Sequence, residues 1–219
     1  MEKIFNEFKV FFDAEDKEKA VAYILDKLKN QEIDVIDLYT KVLTPMLNNI
    51  ECDLEDRRIC IWKEHVKTAI IRTIVECSYP YAIRKRNELG RKPAGKAAVI
   101  CPPDEYHDLG ARMAADFFTI AGYETIYVGG NTPYKDFYNA IETIRPDVVA
   151  ISVSNYYHLV ATKKMVEQLR TAVNNQVKIV VGGYAFAHDT ENKLQTVGAD
   201  IHAGSFSDIL ALSEGGVDS

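Results

Sequence analysis

The residue best placed to do chemistry in this chain is His107, in the run Glu105-Tyr106-His107-Asp108-Leu109-Gly110. The run lies between an apolar stretch, Ala97 to Cys101, and a helical one. A histidine at the carboxyl end of the first strand of an α/β unit stands where such sheets bind ligands. Glu105, two residues earlier, is placed to orient the imidazole, and Gly110 lets the backbone turn close to a bulky group. The pattern reads as a metal-ligating loop for a cofactor too large for an ordinary phosphate loop. A lone E-x-H-x-x-G is weak support, because most histidines so placed ligate nothing.

Two further pieces stand in register with it. Forty-one residues separate Gly110 from Ser152, and 27 separate Ser154 from Gly182-Gly183. Taken singly, the glycines make a tight turn and the serines satisfy backbone groups; that does not account for the common register. Together the pieces resemble the cobalamin-binding module of methionine synthases, corrinoid proteins and B12-dependent light sensors, where D-x-H-x-x-G is followed by S-x-L and then G-G. Here Glu105 replaces the Asp and Ser154 replaces the Leu.

The resemblance implies that His107 takes the lower axial position on cobalt in place of the cofactor's own dimethylbenzimidazole. An imidazole suits such a metal, and Glu105 would accept the other ring proton. Tyr106, Asp108, Leu109 and Gly110 would complete the cofactor loop. The displaced nucleotide tail would enter a slot in the sheet, with hydroxyls from Ser152 and Ser154 and room left by Gly182 and Gly183. Tyr184 and Phe186 would wall it, though Phe186 fits ordinary core equally well. Where methionine-synthase relatives extend the histidine–carboxylate relay with a hydroxyl, this chain has His158, so that relay is either absent or rebuilt with an imidazole.

The same resemblance extends upstream. Tyr39-Thr40-Lys41-Val42-Leu43-Thr44-Pro45 is similar to the Y-x-x-V-L-x-P of a helical cap, and Glu64-His65 to its E-H pair above the corrin. The tryptophan of light sensors falls at Leu54 here, followed by Glu55; Trp62 either fills the upper face instead or is core.

These groups need elements to position them. Val21, Ile24, Leu25 and Leu28 share one helical face, and Val35, Leu38, Tyr39, Val42 and Met46 another, capped by Asp34. Pro45 predicts a kink or break. A third helix carries Trp62, Val66, Ile70, Ile74 and Cys77, with Pro80 marking a bend. From Ala97 strands and helices alternate: strands at 97–101, 125–129, 147–152, 177–181 and 201–203, with helices between them and one from Ser207. This predicts an α/β chain with an N-terminal helical bundle (1–88, the cap), a linker (89–96) and a five-stranded parallel, flavodoxin-like cobalamin-binding domain (97–219). The basic run from Arg84 to Lys96, six basic residues against one acid, is a solvated hinge in preference to a phosphate patch.

Composition sets the outer bounds. An apolar share of 47% supports a buried core, and a net charge of −6 argues against bulk attraction to nucleic acid. The charged start Met1-Glu2-Lys3-Ile4 is unlike a secretory signal, and no apolar run reaches membrane-spanning length. Cys52, Cys60, Cys77 and Cys101 have no C-x-x-C spacing and read as reduced thiols of a cytoplasmic protein, Cys101 as a buried structural thiol in preference to a redox or axial group.

The resemblance covers residues from about 10 to about 212 and brings no substrate domain, zinc-thiolate methyltransferase motif or radical-generating cysteine cluster, which implies a protein that is not a complete enzyme by itself. The expected cofactor is cobalamin in adenosyl, methyl or hydroxo form, and the expected partner is a regulator or a methyltransferase, with no direct nucleic-acid or membrane binding and self-association left open. Two roles fit. The E-x-H, G-G-x-A-F and E-H features look more like the sensor branch, and Ala111 stands where methyl carriers read lysine in D-x-H-D-I-G-K. A B12 or light sensor acting through a partner is therefore the preferred expectation, and a corrinoid methyl carrier the alternative.

Overall fold

In the computed structural model, which describes residues 1–50, 57–172 and 177–215, the chain divides into two units, Met1–Glu88 and Leu89–Ser219. The first is helical. Helix α1 (Glu2–Asp13) buries Ile4, Phe8 and Phe12, one face at a spacing of four. Helix α2 (Lys17–Lys29) starts where the Asp16 carboxylate accepts the Lys19 N–H at 3.1 Å. Its buried line is Ala20, Ile24 and Leu28, so the expected face is rotated and Val21 and Leu25 are only half-buried.

Asp34 caps α3 (Val35–Asp37) as its residue type predicts, accepting the Asp37 N–H at 2.9 Å. The next turn, Leu38–Leu43, widens to a π-helix before α4 (Thr44–Asn48). Pro45 has no N–H and its ring crowds the carbonyl four residues back, which an α-helical ladder cannot absorb. The wider turn resolves this: the Thr44 N–H reaches the carbonyl of Tyr39, five residues back. The extra residue also brings Leu43 into the core beside Leu38, Tyr39, Val42 and Met46. The Pro45 irregularity is thus a change of helical pitch in the turn before the proline.

Helix α5 (Arg57–Glu88) buries Ile70, Ile71, Ile74, Val75 and Ala82 and continues through Pro80. It therefore extends beyond the start of the basic run. Several of its six basic residues are engaged by ion pairs and hydrogen bonds: Lys85 with Asp34 at 2.7 Å and Arg84 on the Leu28 carbonyl at 3.0 Å in this unit, Arg91 with Glu214 at 2.9 Å in the next. Cys77 and Cys101 are free thiols, whereas Cys60 is disulfide-bonded, which corrects the expectation of four reduced cysteines; Cys52, Leu54 and Glu55 lie outside the described residues.

The second unit is a five-stranded parallel sheet in the order β2-β1-β3-β4-β5. The strands are β1 (Lys96–Ile100), β2 (Glu124–Gly129), β3 (Val148–Ser152), β4 (Lys178–Gly182) and β5 (Ile201–His202). Helices α6 (Leu109–Ala121), α7 (Tyr134–Ile144), α8 (Leu159–Ala172), α9 (Thr190–Val197) and α10 (Phe206–Glu214) connect or follow them. The three central strands β1, β3 and β4 are almost wholly apolar because both faces are covered. One face packs Val149, Ile151, Ile179 and Val181 with side chains of α7, α8 and α9. The other packs Ala97, Val99, Cys101 and Ala150 with α6 and α10. Gly122 ends α6 in the left-handed region, at φ 108°.

This order reverses between β1 and β3: the chain leaves β1 toward β2 on one side and leaves β3 toward β4 on the other. In open α/β sheets such a switch point at the carboxyl edge is where ligands bind. The His107 loop follows β1, and the Ser154 loop follows β3.

Candidate corrinoid site

Glu105 is the fixed point of the crevice. Its side chain is fully buried (0% exposed), so both carboxylate oxygens need donors. Oε1 accepts the His107 backbone N–H at 3.0 Å and faces the His107 Nδ1 at 2.8 Å. Oε2 accepts the N–H groups of Ser154 at 3.0 Å and Asn155 at 3.2 Å. Burial works against the charge, but these hydrogen bonds outweigh it and hold the Glu105 carboxyl below its ordinary range. One carboxylate therefore ties the loop after β1 to the loop after β3. The Ser154 hydroxyl adds a second tie, donating to the His107 carbonyl at 3.1 Å.

With Nδ1 turned onto Glu105, the other ring nitrogen of His107 is left for a ligand, on a side chain that is 68% exposed. This is the donor set an axial imidazole requires: one nitrogen fixed by a carboxylate, the other open. His158 joins the same carboxylate from the far side, its Nε2 standing 3.9 Å from Glu105 Oε2. Two imidazoles thus flank one buried carboxylate.

The small residues divide into two kinds. A Cβ on Gly183 (φ 101°) would fall on the Val153 backbone, and one on Gly182 on the Ala203 carbonyl. The fold alone requires both glycines. Gly110 is different: a Cβ there would meet only the Ser152 hydroxyl, at an ordinary 3.7 Å. Nothing among the described residues forbids a side chain at 110, so there is room over Ser152. Strand register extends this surface. Ser152 pairs with Gly182, and the pairings Ile100 with Ile151 and Val181 with His202 carry the row on to Cys101 and Ala203. Cys101, Ser152, Gly182 and Ala203 are all small, one at or just past the end of each of four strands, on the α6–α10 face.

The remaining expected residues separate clearly. Tyr106 and Tyr184 are exposed beside the crevice, and Leu109 is buried at the start of α6. Phe186 lies in the core cluster of the opposite face, its ring 5.8 Å from His202, which fits the core alternative of its two readings. Ser154 spends its hydroxyl on the loop itself, leaving Ser152 as the serine of the small-residue row. Cys101 is buried; desolvation first, then the Asp108 and Glu105 charges, push its thiol up to about 12, so it stays protonated and structural. Trp62, Glu64 and His65 belong to the helical unit and are exposed on the first turns of α5. Motif reading missed Asn155, which acts through its backbone and so leaves no side-chain signature. It also missed Tyr127 and Gly130 at the end of β2, which press on the same loop.

Residues 95–212 match the B12 binding domain, 118 of the 219 residues. Along 89% of this chain and 88% of the relative, the sequence is 23% identical to trimethylamine corrinoid protein 1 of Methanosarcina acetivorans. It is 31% identical to the trimethylamine corrinoid protein of Methanosarcina barkeri over 55% of this chain and 54% of that one. The fold is similar to that of the Methanosarcina barkeri monomethylamine corrinoid protein, with a TM-score of 0.80 over 97% of each chain at 14% identity. No helix among the described residues is long and apolar enough to cross a membrane. The chain belongs to the B12-binding domain family: it is a corrinoid-binding protein in which a helical region precedes a five-stranded parallel B12-binding domain.

Proposed function

We propose that this protein is a corrinoid methyl carrier that works with a separate methyltransferase, with a methylated amine as the methyl source to test first. The observation that carries this reading is the near full-length similarity to trimethylamine corrinoid proteins, which takes in the helical region as well as the cofactor domain. It favours the carrier over the sensor expected from the motifs. The sensor features were the E-x-H, the G-G-x-A-F run, the E-H pair and the missing lysine, and the near full-length similarity to trimethylamine corrinoid proteins outweighs these short motifs.

When bound, the corrinoid supplies a cobalt centre that can take up and release a one-carbon group. The chain's own residues do the rest. His107 would offer its outer nitrogen to the cobalt, and Glu105 holds that imidazole in one tautomer and one direction. The loops after β1 and β3, tied by Glu105 and Ser154, keep the crevice from collapsing. Ser152 and Gly110 would leave the sheet edge open to a nucleotide tail.

The test is transfer between proteins. Corrinoid-loaded, reduced protein is mixed with a methylamine methyltransferase and its methylated amine, and the corrinoid spectrum and amine consumption are followed. Methylation of the bound corrinoid in step with demethylation of the amine is expected. No transfer with trimethylamine, dimethylamine or monomethylamine systems, together with a light-dependent change of oligomeric state, would return the sensor to first place.

A further inference from the structure

The His107 loop is gripped from two sides, and only the inner grip, through Glu105, belongs to the motif. The outer grip comes from β2. The Tyr127 hydroxyl donates to Asp108 Oδ2 at 2.9 Å and stands 3.3 Å from the Asp108 carbonyl. The ring is itself held: the Arg112 guanidinium lies 5.6 Å from its centroid, and Arg112 pairs with the buried Asp116 at 2.5 Å. Just beyond, Gly130 has no Cβ because one would come within 2.8 Å of the Glu105 carbonyl and 3.6 Å of the Asp108 Cβ. The Cys101 N–H reaches the Gly129 carbonyl at 3.0 Å. The end of β2 therefore lies against the loop at its start, its middle and its exit into α6.

Asp108 shows what this contact overrides. It occupies the position before α6 where an aspartate ordinarily turns its oxygen onto the first amides of the helix. Here its side chain makes no capping hydrogen bond and is turned to Tyr127 instead. The peptide between His107 and Asp108 is thereby fixed on its C-terminal side, as Glu105 fixes it on the other.

We propose that Tyr127 is a positioning residue for His107: by holding the Asp108 carboxylate, it sets the direction in which the open ring nitrogen meets cobalt. This rests on His107 being the lower ligand. Tyr127→Phe removes one hydroxyl and keeps the ring that stacks on Arg112, so the fold is retained. A charge-assisted hydrogen bond lost at this point shifts the fraction of histidine-coordinated cobalt by roughly tenfold in equilibrium constant.

The experiment is a double-mutant cycle of Tyr127→Phe and Asp108→Ala with two readouts. In the corrinoid-loaded cobalt(II) protein, EPR measures the share of centres with histidine nitrogen coupling. In the cofactor-free protein, amide exchange reports opening of residues 104–110. Tyr127→Phe is expected to lower the coupled share and speed loop exchange, and the double variant is expected to be no worse than Asp108→Ala alone. Unchanged coupling and exchange in Tyr127→Phe, or strictly additive losses in the double variant, would overturn the proposal while leaving His107 as ligand. A wild-type spectrum without nitrogen coupling, matching His107→Ala, would remove the ligand reading and this proposal with it.

Discussion

At the carboxyl edge of the sheet, Glu105 uses both of its oxygens on partners from two loops, and His107 is fixed through its backbone and its ring. On the first turns of α5, Trp62, Glu64 and His65 are exposed and make no hydrogen bond or ion pair among the described residues. The two regions carry similar residue types and opposite physics. A ligand that must meet a metal in one direction needs its own orientation settled beforehand, and buried hydrogen bonds do this at little cost at the moment of binding. A side chain on an open helical face takes its geometry from whatever covers it. The geometry of the His107 loop is therefore set by the protein alone.

The strongest way to break that contrast is at Glu105. Glu105→Gln keeps the size but turns an NH2 group toward N–H donors, stranding buried amides of His107 or of Ser154 and Asn155. A loss of about 3 kcal/mol in urea unfolding of the cofactor-free protein is expected. The pH dependence follows with a definite sign. The folded-state value for Glu105 lies below the 4.5 of the free side chain. Between those two values the unfolded chain binds a proton that the folded protein does not. Its stabilisation is thus complete well above pH 4.5 and lost as pH falls through the lower, folded-state value. The gap between wild type and Glu105→Gln should close in that acid window; a gap that widened there would mean the carboxylate is not what ties the loops.

Next come the glycines, which sharpen the comparison within the site. Gly183→Ala places a Cβ on the Val153 backbone at a positive φ and should cost about 2 kcal/mol or more whether or not a corrinoid is present. Gly110→Ala has room and sits in a helix, so the cofactor-free protein should be unchanged or gain up to about 1 kcal/mol, while corrinoid affinity falls at least about tenfold, roughly 1.4 kcal/mol. Unfolding curves paired with corrinoid titration read both. If Gly110→Ala bound corrinoid as wild type does, the space over Ser152 would not be cofactor space.

That pair also shows how much was legible beforehand. The alternation of apolar strands and helical faces placed all five strands within about a residue of their observed bounds, because burial on both faces leaves a near-continuous apolar run. The E-x-H and the two distant pieces located the crevice, because they are side-chain chemistry at fixed spacing. What the pattern could not express was the reason for each glycine: Gly110 and Gly183 look alike in a motif, yet one is free of backbone contact and the other is not. Phe186 read equally well as wall or core because it follows Gly-Gly, and the 3-10 turn after β4 carries it into the core cluster of the other face. Asn155 and Tyr127 were silent for a simpler reason. A backbone N–H has no residue type, and a tyrosine in a strand is ordinary until its hydroxyl is seen on Asp108. The helical region hid its departure in Pro45, where the sequence shows an obstacle and only the fold shows the π turn that gets round it.

The smallest expected effect is at Trp62, and it tests the other half of the comparison. The indole is 69% exposed and is the single tryptophan of the chain, so its emission reports one environment. Trp62→Ala removes a large ring that the helical unit does not bury, and the unfolding free energy should move by less than about 0.5 kcal/mol. In the cofactor-free wild type the emission should be that of a hydrated indole, and iodide should quench it nearly as well as free tryptophan. A destabilisation of about 2 kcal/mol or more, or an indole shielded from iodide, would show that α5 already packs this face. The lower and upper candidates would then be built alike, each settled before any cofactor arrives, and the difference between a fixed ligand loop and an open helical face would disappear.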